Sequence, residues 1–237
     1  MSIISLLHAT RGRPEKAVAA YKMWHERAGI WAKEIEHIFS TDFDDATGEQ
    51  IYDLISEQAF HENWQIIQNA NKGSAEAWNN AYKASHGDWL FQVSDDMEPP
   101  EDWAQRIMEK ALFAKWPPLP ALVVAVSDGF RKDRLMTTFI CTRAYAEAKG
   151  EFLCPEYVSM FSDDDATCRA YRHQREGLCT VIDARELVFL HRHHYHDKSV
   201  PMDATYQRQN SDEAYRMGAA LFRKRNPEAE KERGLWR

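Results

Sequence analysis

The stretch "WLFQVSDD", residues 89–96, runs from an apolar segment directly into two adjacent aspartates. An uncharged run of this kind is typical of a strand that is buried on both faces of a parallel sheet. Asp95 and Asp96 stand where that strand reaches the surface, and Glu98 follows two positions later. Like charges this close repel each other unless a cation or a proton lies among them. The stretch therefore predicts a buried strand that ends at a site for a cation or for a proton held among the acids.

The composition is that of a globular protein with one large core. The chain has 237 residues, of which 44% are hydrophobic, and its net charge is −7. A negative balance argues against binding to nucleic acid by bulk electrostatics. No apolar run approaches the ~20 residues of a membrane span, and no basic segment precedes the short apolar stretch at the start. We therefore expect a soluble, cytoplasmic protein. Its four cysteines are widely spaced in apolar or helical patterns, which favours reduced core thiols, and no C-x-x-C pair suggests zinc.

Apolar runs and helical periods alternate along the first half of the chain. Strands are predicted at 3–7, 34–40, 51–57, 89–93, 121–126 and 134–142, with a last one in "LVFLHRH". Helices are predicted from Pro14, at 60–70, after an N-cap at Ser74, from the Pro99-Pro100 pair through Ala114, and at about 143–149 and 156–175. This alternation predicts an α/β fold with a mainly parallel sheet flanked by helices.

Ligands of such sheets bind outside the carboxyl ends of the strands. The loops "HATRGRP" (8–14) and "STDFDD" (40–45) and the acidic pair all follow predicted strands. We therefore expect these three segments to meet at one crevice. The first loop is neither G-x-G-x-x-G nor a Walker loop, which counts against dinucleotide oxidoreductases and P-loop ATPases.

Arg11 and Arg13 flank a glycine immediately before a predicted helix. A helix N-terminus favours anions, and arginine does not lose its proton, so either side chain could bind a phosphate or cover a base. An ordinary solvated turn is the alternative. The Asp95-Asp96 pair fits a metal-nucleotide site, because Mg²⁺ and Mn²⁺ are commonly held by one or two carboxylates together with substrate phosphates. An acidic turn before the next helix is the alternative reading of that pair.

Two further clusters carry titratable groups. Asp163, Asp164 and Asp165 are consecutive; they could be first-turn helix acids, or one with a raised pKa could accept a proton from an attacking hydroxyl. The segment "HRHHYH" contains four histidines, and His191 and His193 would point to the same side of an extended chain. We predict His193, then His191, as a metal ligand or phosphate contact, with surface solvation as the alternative.

In order and spacing, the motifs "SLLHATRGRP", "STDFDD", "NKGSAEAWNNAYKASHGDWLFQVSDDMEPP", "EYVSMFSDDDA" and "HRHH...PMDATY" resemble the GT-A-fold glycosyltransferases related to family 2, particularly short phage and bacterial members. The resemblance covers about residues 1 to 210. It implies one Rossmann-like GT-A domain with a nucleotide-binding half at about 1–100 and an acceptor half at about 101–197. Residues 211–237 would form a helical, polar tail.

The resemblance also implies roles for individual residues. The nucleotide of the donor would contact Thr10, Arg11, Arg13, Asp42, Asn71, Lys72, Gly73 and Asp95. Asp96 would hold the metal, Mn²⁺ or Mg²⁺, and His193 would complete that site or hold the diphosphate. Asp163 or Asp164 would be the catalytic base. The chain departs from the family's Asp-x-Asp motif because Ser94 stands in place of the first acid, which puts the usual ribose contact in doubt.

These residues imply transfer of a sugar from a nucleoside diphosphate sugar, with a UDP-sugar favoured, to an acceptor hydroxyl, with inversion. The acceptor could be a glycan, a protein or a modified nucleic acid. A sugar-phosphate nucleotidyltransferase is one alternative, although the usual glycine-rich, lysine-containing first loop is missing. A metal-dependent phosphoesterase is another, as is a non-catalytic nucleotide-binding module, which the missing acid of the motif favours.

Overall fold

The protein is described from a computed structural model that covers residues 3–57, 63–113 and 121–229. In these ranges the strands are β1 (Ile4–Ala9), β2 (Ile35–Asp42), β3 (Trp64–Asn69), β4 (Trp89–Val93), β5 (Met97–Glu98), β6 (Leu122–Ser127), β7 (Ile140–Thr142), β8 (Thr180–Val188) and β9 (Leu190–His191). The helices are α1 (Pro14–Glu26), α2 (Thr47–Ser56), α3 (Ser74–Ala84), α4 (Trp103–Phe113), α5 (Arg143–Lys149), α6 (Ser162–Arg175), α7 (Ala204–Gln209) and α8 (Asp212–Arg225).

Seven of these strands form one mixed sheet in the order β3-β2-β1-β4-β7-β6-β8. The four strands from β3 to β4 are parallel, β7 is antiparallel to both of its neighbours, and β8 is parallel to β6. Because β1, β2 and β4 are parallel and adjacent, the loops after them lie at the same edge of the sheet. This confirms the predicted α/β fold with a mainly parallel sheet.

A second sheet has two strands, β5 and β9, which pair antiparallel with Met97 opposite His191. The backbone N–H of Arg192 also donates to the carbonyl of Asp96 at 2.7 Å. This short ladder attaches the histidine-rich segment to the acidic pair, although nearly a hundred residues separate them in the chain. The register of the small sheet therefore determines which histidine lies beside Asp96.

Two elements that the sequence predicted have the wrong type, and two others begin later than predicted. Of the strand predicted at 134–142 only Ile140–Thr142 is a strand, and the helix predicted at 156–175 begins at Ser162. Residues 51–57 were expected to form a strand but lie mostly in α2, where Ile51 and Ile55 face the core four positions apart. Residues 60–70 were expected to form a helix, but 64–69 form the edge strand β3; residues 60–62 lie outside the described part. Short apolar runs fit either period, and the two runs were assigned in the wrong order.

Helix α3 begins at Ser74, but Ser74 is not its N-cap. Gly73 occupies that position, and no side chain caps the helix there. A Cβ atom on Gly73 would lie 2.0 Å from the carbonyl oxygen of Val158. The backbone of Gly73 is extended, so this close approach, and not the backbone angle, explains why the position has no side chain.

Both faces of the large sheet are covered. Trp24 and Trp103 pack on each other and on Phe91 on one face, and Phe139 and Phe152 pack on the other. All four cysteines are free, as the sequence predicted, and three of them are buried. Among the described residues, no helix combines the length and the apolar character that crossing a membrane requires.

Helix α2 provides a test of the core. Ile51 is fully buried in the cluster formed by α1, α2 and Phe39. We expect Ile51→Ala to lower the free energy of unfolding by about 2–5 kcal/mol, because it removes buried methylene groups and leaves a cavity. Gln50→Ala, an exposed change in the same helix, should stay within about 0.5 kcal/mol. Chemical denaturation measures both, and equal effects would contradict the packing of α2 described here.

Candidate functional site

The loop between β1 and α1 directs two arginines to different sides. Gly12 adopts a φ of +68°, a left-handed conformation that favours glycine. Arg11 on one side of it remains partly exposed, whereas Arg13 on the other is only 8% exposed. Thr10 is buried, and its hydroxyl has no hydrogen-bond partner among the described residues. Arg13 is therefore the arginine that faces the interior of the crevice.

Arg11 joins the loops after β1, β2 and β3. Its Nη1 donates to Asp42 Oδ2 at 2.7 Å, and a second contact reaches Asp44. Asn71 Nδ2 donates to Asp42 Oδ1 at 2.8 Å, while Lys72 beside it is exposed. Hydrogen bonds with Asp44 and Asp42 raise the pKa of Arg11 above its ordinary value. The structure thus brings together Arg11, Asp42 and Asn71, three of the residues predicted to bind the nucleotide.

Arg13 lies between two carboxylates from distant parts of the chain. Its Nη1 is 3.9 Å from Asp95 Oδ2, and its Nε and Nη2 donate to the two oxygens of Asp203 at 2.8 and 2.6 Å. Burial alone would lower the pKa of Arg13, but Asp203 and Asp95 raise it above the ordinary value. The guanidinium therefore keeps its charge inside the crevice, beside the acidic pair, as the sequence predicted.

Asp95 forms a hydrogen bond with a buried histidine that was not predicted as a site residue from the sequence. His8 is fully buried, with Nε2 2.9 Å from Asp95 Oδ1 and Nδ1 2.9 Å from His37 Nε2. Because a carboxylate oxygen accepts, His8 donates to Asp95 through Nε2, and its Nδ1 shares a hydrogen bond with His37. Burial, with the nearby His8 and His25 rings, holds the pKa of His37 well below its usual value. This chain of bonds fixes the orientation of Asp95.

Three side chains contact the carboxylate of Asp96. Ser94 Oγ donates to its Oδ1 at 2.7 Å, Tyr206 OH donates to its Oδ2 at 2.6 Å, and His191 Nε2 lies 3.4 Å from its Oδ1. Burial alone would raise the pKa of Asp96, but the contacts with His191, Tyr206 and Ser94 hold it well below the usual range. Asp96 is therefore a buried carboxylate that stays ionised.

The histidine that contacts Asp96 is His191. Its pKa, which burial alone would lower, is raised by the Asp96 carboxylate. His193, which the sequence analysis ranked first, accepts a hydrogen bond from the backbone of Tyr195, and its ring centroid lies 5.2 Å from that of His191. Burial and the charge of His191 lower the pKa of His193 to about 4. Both rings therefore point to the same side, beside Asp96.

The three acids at the start of α6 have different surroundings. Asp165 is buried, accepts from Arg225 and Asn226 at 3.1 and 2.8 Å, and pairs with Arg169 at 3.2 Å. These contacts join α6 to α8, so Asp165 serves the packing of the two helices. The sequence had left the choice among the three acids open, and these contacts set Asp165 apart as a structural residue.

Among the three acids at the start of α6, Asp163 is the one whose pKa is strongly raised. Burial and the adjacent Asp164 carboxylate raise the pKa of Asp163 to about 7. Arg131 and His191 lie close enough for their charges to interact with Asp163. Phe161, two residues earlier, has a φ of +70°, an uncommon value for a residue other than glycine and one that recurs near functional sites. Asp163 has the properties expected of a proton acceptor near neutral pH.

The C-terminal segment also reaches the crevice. Asp203 and Tyr206 contact Arg13 and Asp96, and Thr205 Oγ1 donates to the carbonyl of Arg11 at 3.1 Å. This segment contains the motif "PMDATY", for which no site role was predicted from the sequence. A usable signal was the spacing of Asp203 and Tyr206, because Asp203 accepts from the backbone N–H of Tyr206 as the N-cap of α7.

Residues 22–115 match the model of a protein family described as glycosyl transferase family 2. The crystal structure of S. aureus TarS 1-349 aligns with a TM-score of 0.58 and 16% identity, over 80% of this chain and 59% of that chain. The fold of this chain is GT-A, and the part of the chain at residues 22–115 is similar to family 2. Together with the family match, this GT-A fold supports a glycosyltransferase.

Two further structures share the GT-A fold. The mannosyltransferase PcManGT from Pyrobaculum calidifontis, in complex with GDP-Man and Mn²⁺, aligns with a TM-score of 0.60 and 10% identity, over 92% of this chain and 73% of that chain. S. aureus TarS 1-349 in complex with UDP-GlcNAc aligns with a TM-score of 0.60 and 14% identity, over 95% of this chain and 72% of that chain. The chain spans only 36% of a longer TarS structure. A search of the curated proteins finds no match.

The donor set beside the acidic pair fits a hard divalent ion. In the described ranges, no three His, Cys, Asp or Glu side chains are already grouped as a metal site. Asp96 nevertheless presents a buried, ionised carboxylate, and the imidazoles of His191 and His193 lie on the same side of it. Mg²⁺ and Mn²⁺ in such sites take one or two carboxylates and complete their coordination with substrate oxygens and water.

The contact between His8 and Asp95 can be tested by its effect on stability. We expect His8→Leu to lower the free energy of unfolding by about 1–3 kcal/mol, because a buried carboxylate oxygen loses its donor. His8→Gln keeps a side-chain N–H, so its free energy of unfolding should fall by less. The control is His86→Leu, since the side chain of His86 is 81% exposed and an exposed contact is worth about 1 kcal/mol or less. Equal losses for His8→Leu and His8→Gln in urea denaturation would contradict this contact.

Proposed function

We propose that the chain transfers a sugar from a nucleoside diphosphate sugar to an acceptor hydroxyl, with inversion and with dependence on Mn²⁺ or Mg²⁺. The observation that carries the proposal is the position of Arg13 beside Asp95 and Asp96 in one buried crevice. This is the arrangement of charge that a metal-bound diphosphate requires. A UDP-sugar is the favoured donor, because TarS was solved with UDP-GlcNAc, and a GDP-sugar is the next candidate because PcManGT was solved with GDP-Man.

Arg13 stabilises the leaving group. Breaking the bond between sugar and phosphate leaves a nucleoside diphosphate whose negative charge grows through the transition state. A fixed guanidinium in a site that excludes water stabilises this charge more than it stabilises the substrate. Arg13 would exchange Asp203 for the diphosphate as its partner.

Asp96, His191 and His193 would hold the divalent ion. When bound there, the ion supplies positive charge to the departing diphosphate. Asp96 is already ionised without the ion. The affinity of the site for the ion is therefore not reduced by the need to remove a proton from Asp96 first. His193, with a pKa of about 4, is neutral at physiological pH. Its Nδ1 lone pair accepts from the backbone N–H of Tyr195, so His193 would bind the ion in exchange for that hydrogen bond.

The nucleoside would lie over the loops after β1, β2 and β3. Thr10 offers a buried hydroxyl without a partner, and Arg11, Asp42 and Asn71 form a fixed polar network beside it. Gly73 would keep the backbone near the nucleotide, with Lys72 exposed above it. Asp95, held by His8 and Arg13, replaces the missing first acid of the motif as the candidate for a ribose contact.

Asp163 would accept the proton of the acceptor hydroxyl, with Asp164 as the neighbour that raises its pKa. A base on the side of the sugar opposite the diphosphate permits in-line attack, which inverts the anomeric configuration. The acceptor would be a glycan, a protein or a modified nucleic acid. The net charge of −7 weighs mildly against the last of these.

One observation favours a non-catalytic nucleotide-binding module as the second candidate. The groups that would contact the diphosphate and the ion, Arg13 and Asp96, are already paired with Asp203 and Tyr206. A module of this kind would bind a nucleoside diphosphate with Mn²⁺ and release no nucleotide from a nucleotide sugar.

A screen of nucleotide sugars tests the proposal. We expect slow release of UDP from a UDP-sugar in the presence of Mn²⁺, and loss of this activity with EDTA. Asp96→Ala should lower the rate at least about 100-fold, because a charge-stabilising group contributes about that much. Asp53→Ala, which changes an exposed aspartate on α2, serves as the control. Unchanged turnover in Asp96→Ala would contradict the metal assignment, and binding without turnover of any nucleotide sugar would favour the binding module.

The pH dependence of transfer tests Asp163. With a pKa of about 7, Asp163 is protonated and inactive as a base at lower pH, so the rate should rise through about pH 7 to a plateau. Asp163→Asn should lower kcat by about 10²–10⁴-fold, the usual contribution of a general base, with UDP binding retained. Asp165→Asn should act on stability instead. A rate that is constant between about pH 6 and 8, where a base of this pKa must titrate, would contradict the role of Asp163.

A further inference from the structure

Tyr206 contacts three residues of the candidate site at once. Its side chain is 2% exposed, its hydroxyl donates to Asp96 Oδ2 at 2.6 Å, and its ring lies under the guanidinium of Arg13 at 4.1 Å. The ring of His193 packs edge-on against it with a centroid distance of 4.6 Å. No other described tyrosine hydroxyl donates to the acidic pair. This side chain therefore connects the cationic and the acidic halves of the crevice.

Contacts with the arginine loop and with the histidine segment fix the position of α7, and with it the position of Tyr206. Asp203 caps the helix through the backbone N–H of Tyr206 at 3.0 Å and binds Arg13 through the same carboxylate. Thr205 donates to the carbonyl of Arg11. The hydroxyl of Tyr206 also reaches the carbonyl of Arg192 at 3.3 Å, next to the small sheet. The short helix is thus attached to the arginine loop and to the histidine segment.

The two contacts of Tyr206 have separate physical effects. A guanidinium over an aromatic face is attracted by the ring quadrupole, which fixes the plane of Arg13 without using any of its N–H donors. A hydroxyl that donates to one carboxylate oxygen fixes the rotation of that carboxylate. With Oδ2 bound to Tyr206, Asp96 directs Oδ1 to the side where His191 lies.

We propose that Tyr206 is a positioning residue that sets the distance and orientation between Arg13 and Asp96 for the binding of a metal-bound diphosphate. This inference rests on the proposed function. The ring of Tyr206 acts on the diphosphate through Arg13, and its hydroxyl acts on the ion through Asp96. The two effects can therefore be separated by changing the hydroxyl alone or the whole ring.

The test uses UDP as the probe, with the full chain, and compares Tyr206→Phe with Tyr206→Leu by isothermal titration calorimetry. With Mn²⁺ present, Tyr206→Phe should raise the Kd of UDP about tenfold, which corresponds to about 1.4 kcal/mol. In EDTA its Kd should stay within about twofold of the wild-type value, because Arg13 still rests on the ring. Tyr206→Leu should raise the Kd under both conditions, because Arg13 also loses the ring.

Tyr52→Phe is the matched control, because Tyr52 is exposed on α2 and far from these contacts in the chain. A second measurement needs no ligand: a double-mutant cycle in thermal unfolding, with Tyr206→Phe and Asp96→Asn, should show coupling between the two positions. Its single variants also report whether each protein is folded.

The outcomes separate this inference from the proposed function. If wild-type protein binds UDP with Mn²⁺ and Tyr206→Phe binds it equally well or more tightly, the positioning role is overturned while the proposed function stands. If wild-type protein binds no UDP under either condition, the proposed function fails and the positioning role fails with it. Coupling together with a selective loss of the Mn²⁺-dependent affinity supports both.

Discussion

The ion pairs of Arg13 are the contacts on which the crevice depends. Arg13 contacts Asp95, just after β4, and Asp203, which lies 190 positions after Arg13 in the sequence. The contact with Asp95 depends on β1 and β4 being adjacent and parallel, because their carboxyl ends then lie at the same edge of the sheet. A buried guanidinium without partners would be strongly unfavourable. The fold, the acidic pair and the C-terminal segment therefore depend on each other through one side chain.

The parallel sheet and the meeting of the arginine loop with the acidic pair could be predicted from the sequence. Uncharged runs that end in polar loops are typical of the strands of a parallel sheet. In sheets of this kind, ligands bind at the carboxyl ends of the strands. The contact of His8 with Asp95 was equally within reach. In the parallel register His8 lies opposite Val93, so Asp95 is two residues beyond that pair. A histidine at the end of an apolar strand was the available signal.

Other features depend on tertiary contacts that no local pattern encodes. The choice between His191 and His193 follows from the pairing of two-residue strands, which are too short to leave a periodic signal. The exchange of strand and helix around residue 57 arose because a run such as "IYDLIS" fits both periods, and packing against α1 decides between them. Asp165 differs from Asp163 largely through contacts with Arg225 and Asn226, which lie at the C-terminal end of α8, some sixty residues later in the chain.

The bond between Asp203 and Arg13 has a consequence for the timing of a catalytic cycle. Under the proposed function, an incoming phosphate replaces a carboxylate that already satisfies the guanidinium, so it gains only the difference between two ion pairs. The apparent affinity equals the intrinsic affinity multiplied by the fraction of molecules in which the short helix has moved aside. The same carboxylate can return to Arg13 once the sugar has left, which helps to expel the spent nucleotide. An enzyme limited by product release benefits from such a built-in competitor.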